Sequence, residues 1–145
     1  MLQQFYPQPP AHPYVYELNK DMQFAAAHYV PHPSAGVCQN VHGHTYFVNV
    51  TIAGDHLDEA GFLINFKDIK KAVHGRFDHK ILNADDAFNY EHGDGDIPST
   101  EAVAQEIWYT IQDLLDKEGR NLKCLQVVVR ETPTSYVIYR PNRES

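Results

Sequence analysis

Hydrophobic and polar residues alternate most regularly over residues 45–53, in the segment TYFVNVTIA. A two-residue period built from β-branched and aromatic side chains predicts a β-strand, which is expected to end at Gly54. Residues 14–30 are also mostly extended in character, and the segments 122–131 and 135–140 predict two more strands. Four strands are therefore expected, two on each side of a central region.

The central region has the period of an α-helix. Over residues 100–118 the apolar side chains form one stripe, which comprises Val103, Ala104, Ile107, Trp108, Ile111, Leu114 and Leu115. Ser99 or Thr100 is expected to cap this helix, and Gly119 to end it. A shorter helix is predicted over residues 67–75. The order ββααββ indicates an α+β fold with an antiparallel four-stranded sheet and two helices.

The length and the connecting segments suit one domain. The chain has 145 residues without a linker or a repeat, so a single domain over residues 1–145 is expected. Residues 1–13 are rich in proline, which favours extended backbone, and they predict an N-terminal arm. The loop over residues 31–41 is long for neighbouring strands, which favours a functional role. The acidic, glycine-containing segment 84–98 predicts a surface loop.

The charge balance excludes several classes of partner. Lys and Arg number 12 against 19 Asp and Glu, a net charge of −7, so neither a nucleic-acid nor an anionic membrane partner is expected. No run of about 18 apolar residues is present, and the N-terminus lacks the basic start and apolar core of a signal peptide. The two cysteines indicate no disulfide framework. These features favour a cytoplasmic protein.

Candidate chemistry is concentrated between Asp21 and Asp55, where no other charged side chain occurs. This window contains His28, His32, Cys38, His42 and His44. His42 and His44 are two residues apart at the entrance of a strand, so their rings point to the same side, and His28 ends the preceding strand beside them. Three histidines with an open fourth position are typical of a catalytic zinc site. His32 lies between two prolines and is interpreted as a loop residue.

Cys38 lies four residues before His42, and two interpretations stay open. It could be a fourth ligand that makes a closed, structural zinc site. It could instead be a free thiol near a cation, where the thiolate is favoured and acts as a base or nucleophile. Cys124 alternates within the strand 122–131 and is expected to be a buried apolar residue.

Two acidic positions are further candidates. Asp78 precedes His79 at the end of the shorter helix, where a turn could let the carboxylate orient the imidazole for proton transfer; the alternative is a solvated turn. Glu131 closes a strand and could accept two hydrogen bonds from an amino-pyrimidinone edge, or be an exposed charge at the strand end.

Taken in order, five short segments resemble the 6-pyruvoyl-tetrahydropterin synthase family. They are FAAAH at 24–28, CQNVHGHTY at 38–46, FDHKILN at 77–83, PSTE at 98–101 and RET at 130–132. Together they span roughly residues 14–140, and the resemblance is greatest to the bacterial branch that serves queuosine (7-deazaguanine) biosynthesis.

The resemblance implies the tunnelling fold (T-fold), in which trimers close an antiparallel barrel and two trimers form a homohexamer with active sites between subunits. It implies that His28, His42 and His44 bind Zn²⁺ and that Cys38 is the proton acceptor. Asp78 and His79 would complete the proton relay. Glu131 would anchor the pterin, with Thr100 and Ser99 contributing to that pocket.

The implied reaction converts 7,8-dihydroneopterin triphosphate into 6-carboxy-5,6,7,8-tetrahydropterin and releases acetaldehyde and triphosphate. Two alternatives remain: the pyruvoyl product from the same substrate, and a non-catalytic, zinc-stabilised binding module. Lys20, Lys80 and Arg140 are unranked candidates for contacting the triphosphate.

Overall fold

The computed structural model of the protein describes residues 8–9 and 11–141. Five strands form one sheet: β1 (Tyr16–His28), β2 (His42–Gly54), β3 (Lys80–Ile81), β4 (Lys123–Thr132) and β5 (Ser135–Tyr139). Two α-helices, α1 (Phe66–Phe77) and α2 (Thr100–Glu118), lie between the strands in sequence. Short 3-10 helices cover Pro33–Gln39, Leu82–Ala84 and Asp86–Phe88. The strand order across the sheet is β3-β1-β2-β4-β5.

The α+β class is confirmed, but the expectation of a four-stranded, wholly antiparallel sheet is wrong. The four long strands do pair antiparallel. The fifth strand, β3, contains two residues and pairs with β1 in the parallel direction, Lys80 against Ala26 and Ile81 against Ala27. Two residues are too few to carry a hydrophobic period, and their pairing depends on where the end of α1 delivers the chain.

The pairing of β1 with β2 places the histidines. The two strands are in register from Tyr16 opposite Gly54 to His28 opposite His42. Alternate side chains of both strands, such as Phe24, Tyr46 and Val48, are buried in one hydrophobic core with residues of both helices. Because side chains alternate across a strand, His28, His42 and His44 lie on this same face, at its open end.

The ends of α2 match the expectation. Ser99 is the N-cap, and its Oγ accepts a hydrogen bond of 3.1 Å from the backbone N–H of Ala102. Gly119 ends the helix with a φ of 68°, a left-handed conformation that favours glycine. The shorter helix begins after the Asn65 N-cap and continues to Phe77, two residues beyond the predicted end, because Phe77 is buried in the core.

Two segments outside the strands and α-helices stand out in the sequence, the N-terminal arm and the loop after β1. Most of the expected arm, residues 1–7 and 10, lies outside the described residues; Arg140 donates a hydrogen bond of 3.2 Å to the carbonyl oxygen of Gln8. The loop after β1 forms the 3-10 helix Pro33–Gln39, and His32 is confirmed as a loop residue, since its Nδ1 accepts from the N–H of Ser34. Among the described residues, neither helix combines the length and apolarity needed to cross a membrane.

Candidate functional site

Three histidines meet at one end of the β1–β2 pair. His28 ends β1, and His42 and His44 begin β2. One nitrogen from each ring can be chosen so that all lie within 4.8 Å of one another. The Nε2 atoms of His28 and His42 are 3.0 Å apart. The convergence expected from the strand spacing is therefore present.

Backbone carbonyls fix the orientation of two of these rings. His28 Nδ1 lies 2.7 Å from the carbonyl oxygen of Pro98, and His42 Nδ1 lies 2.7 Å from that of Asn40. Because a carbonyl oxygen can only accept, each Nδ1 carries the hydrogen and donates it. In the neutral ring this leaves the lone pair on Nε2, and both lone pairs face the centre of the cluster. Two lone pairs at this distance repel unless they share a cation.

Burial adds a second reason for a cation at this point. His44 Nε2 is buried and has no hydrogen-bond partner among the described residues, a costly state for a polar atom. His28 is only 2% exposed, and burial lowers the pKa of its imidazole against the smaller opposing effect of the Pro98 hydrogen bond. A neutral imidazole is the ligand form, so the three residues fit a divalent metal such as Zn²⁺.

Glu131, on β4, lies directly beside the histidine cluster. Its Oε2 is 3.7 Å from His28 Nε2 and 3.9 Å from His44 Nε2. Thr100, the first residue of α2, donates a hydrogen bond of 2.6 Å from Oγ1 to the same oxygen. The structure thus brings Glu131 and Thr100 together at the cluster. Ser99 is adjacent in sequence, but its hydroxyl caps α2 through Ala102.

Tyr46 is a site residue that sequence reasoning missed. Its hydroxyl oxygen lies 3.3 Å from His28 Nδ1, and its ring contacts those of His28 and His44 edge-on. The side chain is fully buried, and burial raises the pKa of the phenol far above its ordinary value, so it stays neutral. The residue was visible in the alternation of β2, but only as a core position.

Asp78 and His79 form the expected turn at the end of α1. Asp78 Oδ1 accepts a hydrogen bond of 2.9 Å from the N–H of Ala25, and Asp78 Oδ2 is 3.6 Å from His79 Nε2. His79 has a φ of 60°, in the left-handed region. This backbone conformation lets the side chains of two adjacent residues approach each other, which a regular helix or strand does not. Its side chain is 82% exposed. Neither residue belongs to the histidine cluster.

The two cysteines have opposite environments. Cys38 is exposed on the 3-10 helix Pro33–Gln39 and is not part of the group of converging ligand atoms. Its carbonyl oxygen accepts a hydrogen bond of 2.7 Å from the N–H of Val30. Cys124 is buried, as expected, and burial raises the pKa of its thiol to about 12.

Two clefts adjoin His79. One of about 820 Å³ is bordered by Lys20, Lys70, His74 and Asp78 as well as His79. The other, of about 490 Å³, is lined by residues of β1, β2 and β3, including Lys80 and His44. Two of the three candidates for triphosphate contact therefore line these clefts. Arg140 instead donates a hydrogen bond of 2.6 Å to the Gln126 side chain.

The sequence is similar to known proteins along nearly its whole length. A sequence model of the family described as 6-pyruvoyl tetrahydropterin synthase matches residues 17–142. The chain belongs to this family. It is 52% identical over 143 residues to 6-carboxy-5,6,7,8-tetrahydropterin synthase of Bacillus subtilis, covering 99% of this chain and 97% of the relative. It is also 32% identical over 111 residues to 6-pyruvoyl tetrahydrobiopterin synthase of Drosophila melanogaster, covering 72% and 62%.

Solved structures of the 6-pyruvoyl tetrahydropterin synthase family share the fold. The Caenorhabditis elegans enzyme superimposes with a TM-score of 0.68 at 22% identity, over 88% of this chain and 96% of its own. The Plasmodium falciparum enzyme gives a TM-score of 0.60 at 19% identity, over 89% and 99%. These similarities establish the tunnelling fold of the family for this chain.

Proposed function

We propose that this protein converts 7,8-dihydroneopterin triphosphate into 6-carboxy-5,6,7,8-tetrahydropterin, with release of acetaldehyde and triphosphate, in queuosine biosynthesis. The observation that carries the proposal is the 52% identity to the Bacillus subtilis 6-carboxy-5,6,7,8-tetrahydropterin synthase over nearly its whole length. One water molecule balances the atoms. No redox cofactor is needed, because reduction of the ring is matched by oxidation of the side chain.

The metal of this proposal is Zn²⁺, with His28, His42 and His44 as its ligands. The converging ring nitrogens and the unpartnered His44 Nε2 support this assignment. When bound, zinc acts as a Lewis acid on the side-chain hydroxyls of the substrate and makes the protons on neighbouring carbons easier to remove.

Glu131 is the proposed anchor of the pterin ring. A carboxylate can accept two parallel hydrogen bonds from the amino-pyrimidinone edge, and the Thr100 hydroxyl holds one of its oxygens in place. Because Glu131 lies beside His28 and His44, a pterin ring bound to its carboxylate would lie next to the proposed metal ligands. Ser99 contributes to this pocket through the start of α2.

Cys38 is the proposed proton acceptor, and His79, oriented by Asp78, serves the other face of the substrate. Two bases on opposite faces allow proton shifts with defined stereochemistry. The exposure of Cys38 and of His79 supports a site that is completed at a subunit boundary. We therefore include a homohexamer, a dimer of trimers, in the proposal.

The product decides between this function and its alternative. The Drosophila melanogaster relative is named a 6-pyruvoyl tetrahydrobiopterin synthase, which favours the pyruvoyl product as the second candidate. The zinc-loaded protein is incubated with 7,8-dihydroneopterin triphosphate, and the products are identified by mass spectrometry. The proposal expects 6-carboxy-5,6,7,8-tetrahydropterin and acetaldehyde in equal amounts. A pyruvoyl pterin without acetaldehyde contradicts it, and an unchanged pterin indicates a binding module.

A further inference from the structure

The side chain of Asn83 pairs with the backbone of the residue that follows His28. The N–H of Tyr29 donates a hydrogen bond of 3.0 Å to Asn83 Oδ1, and Asn83 Nδ2 donates one of 3.0 Å to the carbonyl oxygen of Tyr29. One amide group therefore binds both polar backbone groups of Tyr29. This is the pattern that a neighbouring strand would supply, although β1 has already ended at His28.

Asn83 is the last contact of a continuous segment along the edge of β1, residues 78–83, which we call the brace. At its start, Asp78 Oδ1 accepts from the N–H of Ala25, and the N–H of His79 donates to the carbonyl oxygen of Ala25 at 2.6 Å. Its middle is β3, which pairs with Ala26 and Ala27. The side-chain amide of Asn83 extends this pairing to residue 29.

The brace and β2 hold the end of β1 from opposite edges. His28 is opposite His42 in the register with β2. On the other edge, the residues before and after His28 are bound by Ile81 and by the Asn83 side chain. His28 also points its Nδ1 at Pro98. Its backbone is therefore fixed on both sides, and its Nε2 is directed at the histidine cluster.

We propose that Asn83 is a positioning residue for the metal centre, acting through the backbone of Tyr29 on His28. This inference rests on the proposed function, because it takes the three histidines as zinc ligands. A metal site requires its donor atoms to be held within about 0.5 Å of the productive geometry. Loss of a contact that orients a metal ligand typically weakens metal binding by about tenfold or more. Asn83 also links the zinc ligand to Asp78 and His79 within a single segment.

The test compares Asn83→Ala with Asn65→Ala. Asn65 also accepts a backbone hydrogen bond through its side chain, from Lys67, but it caps α1, and the hydrogen bonds it accepts come from residues of that helix. Zinc affinity is measured by competition with a chromogenic chelator, and the absorption spectrum of the Co²⁺ form reports the ligand geometry. The melting temperature of the metal-free protein measures stability separately.

We expect both alanine variants to lower the melting temperature of the metal-free protein. Of these two, only Asn83→Ala is expected to weaken zinc binding, by about tenfold, and to change the Co²⁺ spectrum. Asn83→Asp keeps the acceptor for the Tyr29 N–H but loses the donor to its carbonyl, so it is expected to weaken zinc binding in the same direction. If the variants at Asn83 bind zinc within twofold of the wild type, Asn83 is merely structural and the proposal is wrong.

Hydrogen exchange on the wild type tests the proposal even if the variants do not fold. Zinc should slow amide hydrogen exchange at His42 and His44, and also at Tyr29 and in the brace. Protection confined to the histidines would contradict the proposal. A wild type that binds zinc but does not turn over the pterin refutes the proposed reaction and leaves the role of Asn83 standing; a wild type that binds no zinc refutes both.

Discussion

At the scale of single residues, the protein holds each of the three imidazoles in a different way. His28 is buried, contacts Tyr46 and donates to the carbonyl oxygen of Pro98. His42 is more exposed and donates to Asn40, two residues earlier. His44 keeps its Nε2 unpartnered among the described residues. These contacts leave one nitrogen of each ring within 4.8 Å of the others, a set that could hold a metal ion without a sulfur ligand.

Removal of the Cys38 thiol should separate metal binding from catalysis. In Cys38→Ala we expect zinc stoichiometry and melting temperature to stay unchanged while turnover falls by about 10²–10⁴-fold, the usual contribution of a positioned base. Metal analysis and product formation measure the two effects. The matched control is Cys124→Ala, which removes the buried thiol and should retain turnover. Loss of zinc in Cys38→Ala would instead identify Cys38 as a ligand.

The Cys124 thiol predicts a pH dependence of stability. Burial raises its pKa from 9.0 to about 12, so the folded state holds this proton more tightly than the unfolded state. Its contribution to the free energy of unfolding is therefore complete below pH 9 and is lost as pH rises towards 12. We expect the difference in free energy of unfolding between wild type and Cys124→Ala to decrease from pH 8 to pH 10. A constant difference would contradict this prediction.

Most of the histidine cluster could be predicted from the sequence, because it follows from side-chain types and strand period. The spacing of His42 and His44 and the end of the preceding strand located the three histidines that converge. The carbonyls of Pro98 and Asn40 could not be predicted, since every residue has a carbonyl and its direction depends on tertiary structure. The same holds for the side-chain amide of Asn83.

At the scale of elements, an ion-pair network joins the two helices to the acidic loop. Arg76 on α1 donates to both carboxylate oxygens of Asp85 at 2.9 Å and to Glu106 on α2 at 2.9 Å. A further bond of 2.8 Å reaches Thr110. The Arg76 guanidinium holds the pKa of the Asp85 carboxyl below its ordinary value. The network thus ties the segment that follows α1 to both helices.

Neutralising Asp85 should therefore destabilise the fold at neutral pH. We expect Asp85→Asn to lower the free energy of unfolding by about 1.5–3 kcal/mol, the usual contribution of a hydrogen bond to a charged group. Because the folded pKa of Asp85 is lowered, its contribution is present above pH 3.8 and is lost as pH falls through the lower folded value. Urea unfolding at pH 7 and pH 3 measures both effects.

The control for this prediction is Asp86→Asn, which changes an exposed neighbouring carboxylate in the same 3-10 region. It should change stability by less than about 0.5 kcal/mol, as expected for an exposed surface position. Equal losses in the two variants would mean that general charge, and not the contact with Arg76, stabilises the loop.

Elements long enough to repeat a hydrophobic period several times could be predicted from the sequence, and the short elements could not. The α2 boundaries followed from its stripe and its two caps. The strand β3 and the 3-10 helices contain only two to seven residues, which pair or turn because of neighbours distant in sequence. The site depends on both kinds of element, since β3 braces the strand that carries His28.

In the whole molecule, the sheet has two edges at which strands of another chain could pair. At one end is β5; at the other, β3 covers only two residues of β1. Backbone groups at a strand edge are a template for pairing with another chain. The proposed homohexamer predicts a mass of six times the 16.6 kDa of one chain, measured by light scattering after size-exclusion chromatography. Full turnover by a species with the mass of one chain would contradict it.

X-ray absorption at the zinc edge reports the atoms bound to the metal in the resting protein and so tests whether three histidines hold it without a cysteine. We expect three histidine nitrogens at about 2.0 Å, an oxygen in the open position and no sulfur. A sulfur at about 2.3 Å, or fewer than three imidazoles, would contradict it.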